Sequence, residues 1–272
     1  MNKIRVSSAI NYIFLSVVAA FFIAPVIWLF VTPFSNSPSL SISLGTPTLE
    51  NFGSVFQDPA AIYSFGNSVI IAVGVTLATV ICASLAAYIF SRYHFHGSNF
   101  LIFILILFSN IVSGTAAMVP LYMLNISLGL INSYLGVILT IAGGGIPTSI
   151  FILKSFFDSI PKSYEEAALV DGSSYSQMLF HIFLPLSKKG IIVIATLSFI
   201  SAWGNFLIPF ILLSSQRTYP ASVTIYNFYT EMGLPNIGLI SAYALLYTLP
   251  VIIGYLVVNK IFGFSFYGGI KG

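Results

Sequence analysis

Apolar positions along the chain gather into six long, nearly uninterrupted runs, at 10–31, 67–90, 100–119, 131–153, 191–213 and 237–262. Each is long enough to supply the roughly 20 residues with which an α-helix crosses the hydrocarbon core of a bilayer. Lipid offers no partner to backbone N–H and C=O groups, so a spanning segment must satisfy them as a helix or a closed barrel. Runs of this length predict six transmembrane helices and an all-α fold. Lys3 and Arg5 precede the first run, as they would in a signal peptide. That run is longer than a typical signal core, however, and no convincing small-residue cleavage site follows it, so it is taken as a retained span. Composition agrees: 57% of residues are hydrophobic, 6% are charged and mean hydropathy is +0.98. Soluble domains hold about 45–50% apolar residues.

The cations set the orientation. With six spans both termini lie on one side. The termini and the second and fourth loops carry Lys3, Arg5, Arg92, Lys154, Lys162, Lys188, Lys189, Lys260 and Lys271, nine of the ten cations, and Arg217 alone lies opposite. Positive loops stay in the cytoplasm, so both termini are expected there, in a multi-pass protein of the inner, cytoplasmic membrane. The net charge of +3 is then a topology signal and implies lipid, not nucleic acid, as the surroundings. Cys82, the sole cysteine, falls within the second run, which excludes an intramolecular disulfide. His94 and His96 are too few for a closed metal site, which wants about four ligands, and are expected in a headgroup-facing loop; His181 is expected at the surface. No repeat, low-complexity tract or long linker divides the chain, so residues 1–272 read as a single transmembrane domain.

One stretch departs from this pattern. Lys154, Asp158, Lys162, Glu165, Glu166, Asp171, Lys188 and Lys189 crowd together, in a chain with only ten cations and seven acids. Ser163 and Glu166 have the spacing of a capping box, and Pro161 precedes them. The helix they open would close at Gly172, a residue suited to a left-handed C-terminus. Ser174 and Gln177 repeat the capping pattern and open a second helix, with Tyr175, Met178, Leu179 and Ile182 on one face. That helix is expected to run to Phe183 and to end at Pro185. Two short helices at a tight glycine turn therefore occupy about 163–184. They could lie among headgroups as interfacial segments. Yet Glu165, Glu166 and Asp171 make the first helix acidic, and the small Ala167 and Ala168 beside them suit docking to a protein. Spacing leaves both possibilities open.

Glu166-Ala167-Ala168-Leu169-Val170-Asp171-Gly172, with Pro185 following thirteen residues after the glycine, resembles the EAA loop of binding-protein-dependent ABC importers. Asp171 before the glycine resembles the carbohydrate branch. Gly66-Asn67-Ser68, Pro120-Leu121-Tyr122, Leu128-Gly129-Leu130 and the closing Gly268-Gly269-Ile270-Lys271-Gly272 are similar to the six-span, maltose-type permease subunit. Ser173 and Leu179 depart from that pattern, and in Trp203-Gly204-Asn205-Phe206 a Gly and an Asn replace the usual Asn and acid. The resemblance implies a heterodimer with a second permease, two ATP-binding subunits, and an extracellular or periplasmic sugar-binding protein. It implies that Glu165, Glu166, Ala167, Ala168, Asp171 and Gly172 couple to the ATPase. ATP and Mg would then sit on that partner, with no cofactor on this chain and no catalytic residue in it. The cargo would be a carbohydrate, a disaccharide or oligosaccharide.

Energetics points the same way. All seven acids (Glu50, Asp58, Asp158, Glu165, Glu166, Asp171 and Glu231) fall outside the six runs, whereas an ion-coupled carrier places ionisable groups inside its spans. No Gly-Lys pair is present to build a phosphate-cradling loop; Gly143-Gly144-Gly145 lacks the lysine. Three classes remain: a permease driven by a separate ATPase, an ion-coupled secondary transporter of a small polar solute, and a membrane scaffold. Missing in-span acids disfavour the second, and the capped insert disfavours the third. Asn110, Trp203, Asn205, Tyr243 and Tyr247 are in-span groups able to meet a sugar, although such residues also bond neighbouring helices. Pro209 and Pro250 are expected to kink their helices, and the glycine triplet with Pro147 to allow close packing or a break. Reporter fusions test the topology: Ser98 and Ser163 are expected to report cytoplasm, and Ser43 and Gln216 the outside. Cytoplasmic signals from both Gln216 and Ser163 would sink the six-span arrangement.

Overall fold

A computed structural model of the protein describes residues 2–39, 45–93, 97–112, 115–230 and 236–262. Ser43, His94, His96, Glu231 and the closing 268–272 segment lie outside the described residues, as do the side chains of Lys3, Arg5 and Asn110. The described chain is helical, with one isolated bridge between Ser35 and Pro47. In order come α1 (Asn2–Val31), α2 (Glu50–Gln57), α3 (Pro59–Arg92), α4 (Ser98–Val112), α5 (Met118–Ser127), α6 (Tyr134–Asp158) and α7 (Lys162–Val170). Then α8 (Tyr175–Met178) passes through a π turn (Leu179–Phe183) into α9 (Leu184–Leu186). The chain ends with α10 (Lys188–Trp203), α11 (Leu207–Leu212), α12 (Ala221–Thr230) and α13 (Ile237–Phe262).

Among the described residues four helices, α1, α3, α6 and α13, are long and apolar enough to cross a membrane, and a fifth span appears if the elbow from Tyr175 to Leu186 is counted with α10. The protein is therefore a polytopic helical membrane protein. α1 carries Tyr12, Phe14, Phe21 and Phe22 exposed, as befits a helix bathed in hydrocarbon. The second span starts eight residues before the apolar run does, because Asp58 Oδ1 accepts the Ala60 N–H at 2.8 Å and Pro59 supplies a preset first turn. Between the first two spans the chain also forms the short α2. The run at 100–119 becomes a helix of 15 residues followed by a separate α5.

Three proline and glycine expectations fail for identifiable reasons. The run at 191–213 breaks at Gly204, where Asn205 Oδ1 accepts the Ile208 N–H at 3.1 Å and so starts α11. Pro209 then lies in a first turn, where its missing N–H costs nothing and no kink results. α6 runs unbroken through Gly143, Gly144, Gly145 and Pro147. A β-carbon at any of the three glycines would meet no neighbour, so they do not serve close packing.

The described residues form two compact units, one from the segments 2–62 and 224–250, the other from 63–223 and 251–262. In the first, Asn51 Nδ2 donates to Pro33 O and Ser35 O, both at 2.9 Å, and the Phe228 and Tyr243 rings meet edge to face at 5.2 Å. In the second, Asn67 ties three segments together. Its Nδ2 donates to Arg217 O (2.8 Å) and Tyr219 O (3.0 Å), and its Oδ1 accepts from Tyr134 OH at 2.7 Å. Ser68 Oγ accepts the Ala221 N–H at 2.8 Å. The core of this unit lies where α3, α6 and α10 meet the elbow, around Ala87, Leu153, Phe157, Met178, Phe183 and Ile194. Near the opposite ends of α3 and α6, Gly129 turns the chain at φ +67° and Gly136 packs its backbone against Leu130 O. Gly136→Ala is accordingly expected to cost about 1–3 kcal/mol through overpacking, whereas Gly143→Ala is expected to be neutral or mildly stabilising. Thermal unfolding of the detergent-solubilised protein compares them, and equal stability of the two variants would contradict the packing described.

Candidate functional site

The charged stretch folds as an elbow. Pro161 approaches α7 in extended conformation (φ −58°, ψ 139°), so the helix begins at Lys162 and Ser163 falls inside the first turn. The expected Ser163–Glu166 capping box is therefore not made; no side chain caps α7. Its other end behaves as the sequence suggests. Ser173 N–H donates to Ala168 O at 2.9 Å and Gly172 N–H to Leu169 O at 3.1 Å, with Gly172 at φ +78°. This is the paired closure that needs a left-handed residue after the helix. Ser174 and Gln177 make both halves of their box: Gln177 Oε1 accepts the Ser174 N–H at 2.7 Å, and Ser174 Oγ accepts the Gln177 N–H at 3.4 Å.

Pro185 does not end the second helix. The π turn just before it carries the Leu184 N–H back to Leu179 O, and the wider turn accommodates a residue without a donor. Helix continues to Leu186 and breaks at Ser187, where α10 departs at 80°. Of the face expected to pack, Met178 and Leu179 are buried and Ile182 is half-buried, while Tyr175 stays exposed. His181 is exposed, as anticipated.

The residue that holds the elbow is Arg92, counted from sequence only as a topology cation. It ends α3 and is almost completely buried, with 7% of its side chain exposed. Its Nη2 donates to Phe157 O (3.1 Å), which also accepts the Ile160 N–H at 3.1 Å, and to Ile160 O (2.9 Å), carbonyls at and just beyond the end of α6. The guanidinium lies 4.7 Å above the Phe183 ring. Nε stands 3.2 Å from Glu165 Oε2 in α7, an ion pair whose N–H is not aligned for a hydrogen bond. One side chain thus touches α6, α7 and the π turn. Around it Phe183 meets Tyr88 (4.8 Å) and Phe157 (5.6 Å) edge to face. Asp158 accepts from Ser91 Oγ and Lys154 Nζ, each at 2.6 Å.

The proposed coupling residues divide between two faces. Glu165 and Ala168 point inward, the latter into the core. Glu166, Ala167, Asp171 and Gly172 are exposed, beside Tyr164, Leu169 and Val170, the last 88% exposed. The surface is acidic and apolar together; Ala168 does not belong to it, contrary to expectation. In-span candidates are scattered. Trp203 is buried and stacks on Phe199 at 5.7 Å, and Asn205 caps α11 while its carbonyl accepts from Ser222 Oγ at 2.7 Å. Tyr243 is fully buried and Tyr247 half-buried, both in the other unit. None of these lines a described cavity, and the Asn110 side chain is not among those described.

Residues 79–263 match the family described as binding-protein-dependent transport system inner membrane component. The chain is 29% identical over 270 residues to the galactooligosaccharides transport system permease protein of Bacillus subtilis, covering 96% of this chain and 95% of that one. It is 33% identical over 264 residues to the trehalose/maltose transport system permease protein of Thermococcus litoralis, with 94% and 92% covered. Its fold matches a chain of a bacterial ABC transporter involved in the import of the acidic polysaccharide alginate, at TM-score 0.81, 24% identity, and 95% and 97% coverage.

Arg92→Ala would strand the half-buried Glu165 carboxylate and the Ile160 carbonyl, while Phe157 O would keep the Ile160 N–H. It is expected to cost about 3 kcal/mol, the lower end for breaking a buried ion pair. Arg92→Lys, which keeps charge but loses the planar fork, is expected to fall between. Thermal unfolding, with trypsin cleavage after the exposed Lys162 as a local readout, checks the order; an Arg92→Ala protein as stable and as resistant as the parent refutes the clamp.

Proposed function

The chain belongs to the binding-protein-dependent transport system inner membrane components, and we propose that it is the six-span permease subunit of an ATP-driven carbohydrate importer. A disaccharide or oligosaccharide, delivered by an extracellular or periplasmic binding protein, would pass between this chain and a second permease. Two ATP-binding subunits, carrying ATP and Mg, would drive it. Both termini would be cytoplasmic, and the third and fifth spans would be the shorter helices α4 and α10 with their broken continuations. The relatives support the class of cargo, since two of them are permeases of galactooligosaccharide and trehalose/maltose transport systems.

The observation that carries the coupling role is the two-faced elbow. Its inner face is tied to the spans through Arg92, while Glu166, Asp171 and Val170 project outward from a turn fixed by Gly172. A protein partner with a cationic rim and an apolar hollow would satisfy that outer face. Force applied there would reach α3 and α6 through Arg92 and α10 through the bend at Ser187. A pathway role for Trp203, Asn205, Tyr243, Tyr247 and Asn110 remains part of this proposal, with Asn205 already engaged as a cap.

Reconstitution tests it. Uptake into liposomes is expected to require this chain, the second permease, the ATPase, Mg-ATP and the binding protein together. Glu166→Ala is expected to weaken ATPase association by about 2 kcal/mol, roughly thirtyfold, as for one partner of a buried interfacial charge pair. Gly172→Val should do at least as much harm, because a β-branched residue is strained at positive φ. Parental uptake by both variants would refute coupling through the elbow, and flux driven by a proton gradient without ATP would establish the secondary-carrier alternative.

A further inference from the structure

A second group of side chains, absent from every motif noted above, meets between α3, α6 and α10. Thr79, Thr148, Ser149, Ser198 and Ser201 line a cavity of about 140 Å³, with Val75, Ile141, Ile152 and Leu197 supplying its apolar wall. Hydroxyls within spans ordinarily return to their own helix. Thr76 Oγ1 donates to Ala72 O, Thr196 Oγ1 to Ile192 O and Ser149 Oγ to Gly145 O, at 2.7, 2.8 and 2.9 Å. Thr79 does not. It is fully buried on the same helix as Thr76, it lines the cavity, and its Oγ1 has no hydrogen-bond partner. Buried polar groups are rarely left so, and each such exception asks for a missing partner.

We propose that this cavity is a subsite for one neutral saccharide ring of the transported carbohydrate, with Thr79 at its floor. This deepens, and rests on, the carbohydrate-importer assignment. A water needs about 10–15 Å³ of such space, so the cavity takes several waters or one six-membered ring in their place. Thr148 and Ser201 are exposed at the mouth, and Thr79, Ser149 and Ser198 are buried behind them. A sugar ring presents hydroxyls at its rim and C–H groups on its faces. The hydroxyl set matches the rim, and Val75, Ile141 and Leu197 match the faces. No lining residue is charged. A uronate carboxylate would lose its hydration here without gaining a cation, so the subsite favours neutral sugars over acidic ones.

The test uses the complete reconstituted importer and four probes: maltotriose, galactotriose, arabinotriose and an alginate trisaccharide. The parent complex is expected to take up at least one neutral probe in preference to the acidic one. Thr79→Val, which keeps shape and removes the hydroxyl, is expected to lower the maximal uptake rate of that probe about tenfold. The half-saturating concentration, set by the binding protein, and the basal ATPase rate should change less than twofold. Thr79→Ser should recover most of the rate, and Ser198→Leu, which fills the cavity, should lower it further while the ATPase still co-purifies. Parental uptake by Thr79→Val and Ser198→Leu would overturn the subsite, leaving the hydroxyls to water alone. Preference for the alginate trisaccharide would overturn its neutral character while the importer assignment stands. A parent complex that moves none of the four under Mg-ATP would remove the premise and overturn both.

Discussion

A guanidinium placed at the end of a membrane helix must be satisfied from all sides or not be there, and Arg92 meets that demand by recruiting its neighbours. It takes the carbonyls of Phe157 and Ile160, which follow from where α6 stops, the carboxylate of Glu165, which follows from where α7 starts, and the face of Phe183, which the π turn presents. Remove it and the Glu165 carboxylate and the Ile160 carbonyl lose the partner that holds them, while Phe157 O keeps the Ile160 N–H. The elbow therefore owes its attitude to a residue outside the elbow. The core around Phe157, Met178 and Phe183 packs against the edge where Arg92 gathers these groups.

The ion pairs of this chain and its hydroxyl-lined cavity occupy different places. Arg92, Lys154 and Asp158 sit at the ends of α3 and α6 and Glu165 in α7, whereas the cavity between α3, α6 and α10 is lined by neutral side chains. Bilayer energetics separates them: a carboxylate deep in a span needs a partner and a reason, while a threonine can return its proton to its own helix at little cost. Where a threonine declines to do so, as Thr79 does, the departure carries information that a charged residue would have announced more loudly.

How much of this was legible in the sequence depended on how local the cause was. Gly172, the Ser174–Gln177 box and the apolar runs at 10–31, 67–90, 131–153 and 237–262 are written in adjacent residues, and the chain folds there as the spacing says, whereas the runs at 100–119 and 191–213 break. Ser163 and Pro185 misled for the same reason. Each is a correct local signal displaced by its context, Pro161 starting α7 two residues early and the π turn making room for a missing donor. Arg92 and Thr79 were not legible as site residues at all. Sixty-five or more positions separate Arg92 from the carbonyls it binds, and no one-dimensional pattern marks a hydroxyl that lacks a partner. A faint signal existed: Arg92 is a cation at the end of a long apolar run, and such cations are usually read only as topology.

The bend at Ser187 sets two helices at 80°, close to a right angle. A rod pushed along its own length displaces a collinear neighbour lengthwise, but it can only swing one that stands across it. Under the proposed coupling, the second arm of the elbow would act on α10 as a crank and not as a piston. A small travel of the elbow would then become a sideways sweep of that helix, greatest at the far end. No charged residue lies within α10 beyond Lys189, so such a stroke would be limited by side-chain packing and not by electrostatics.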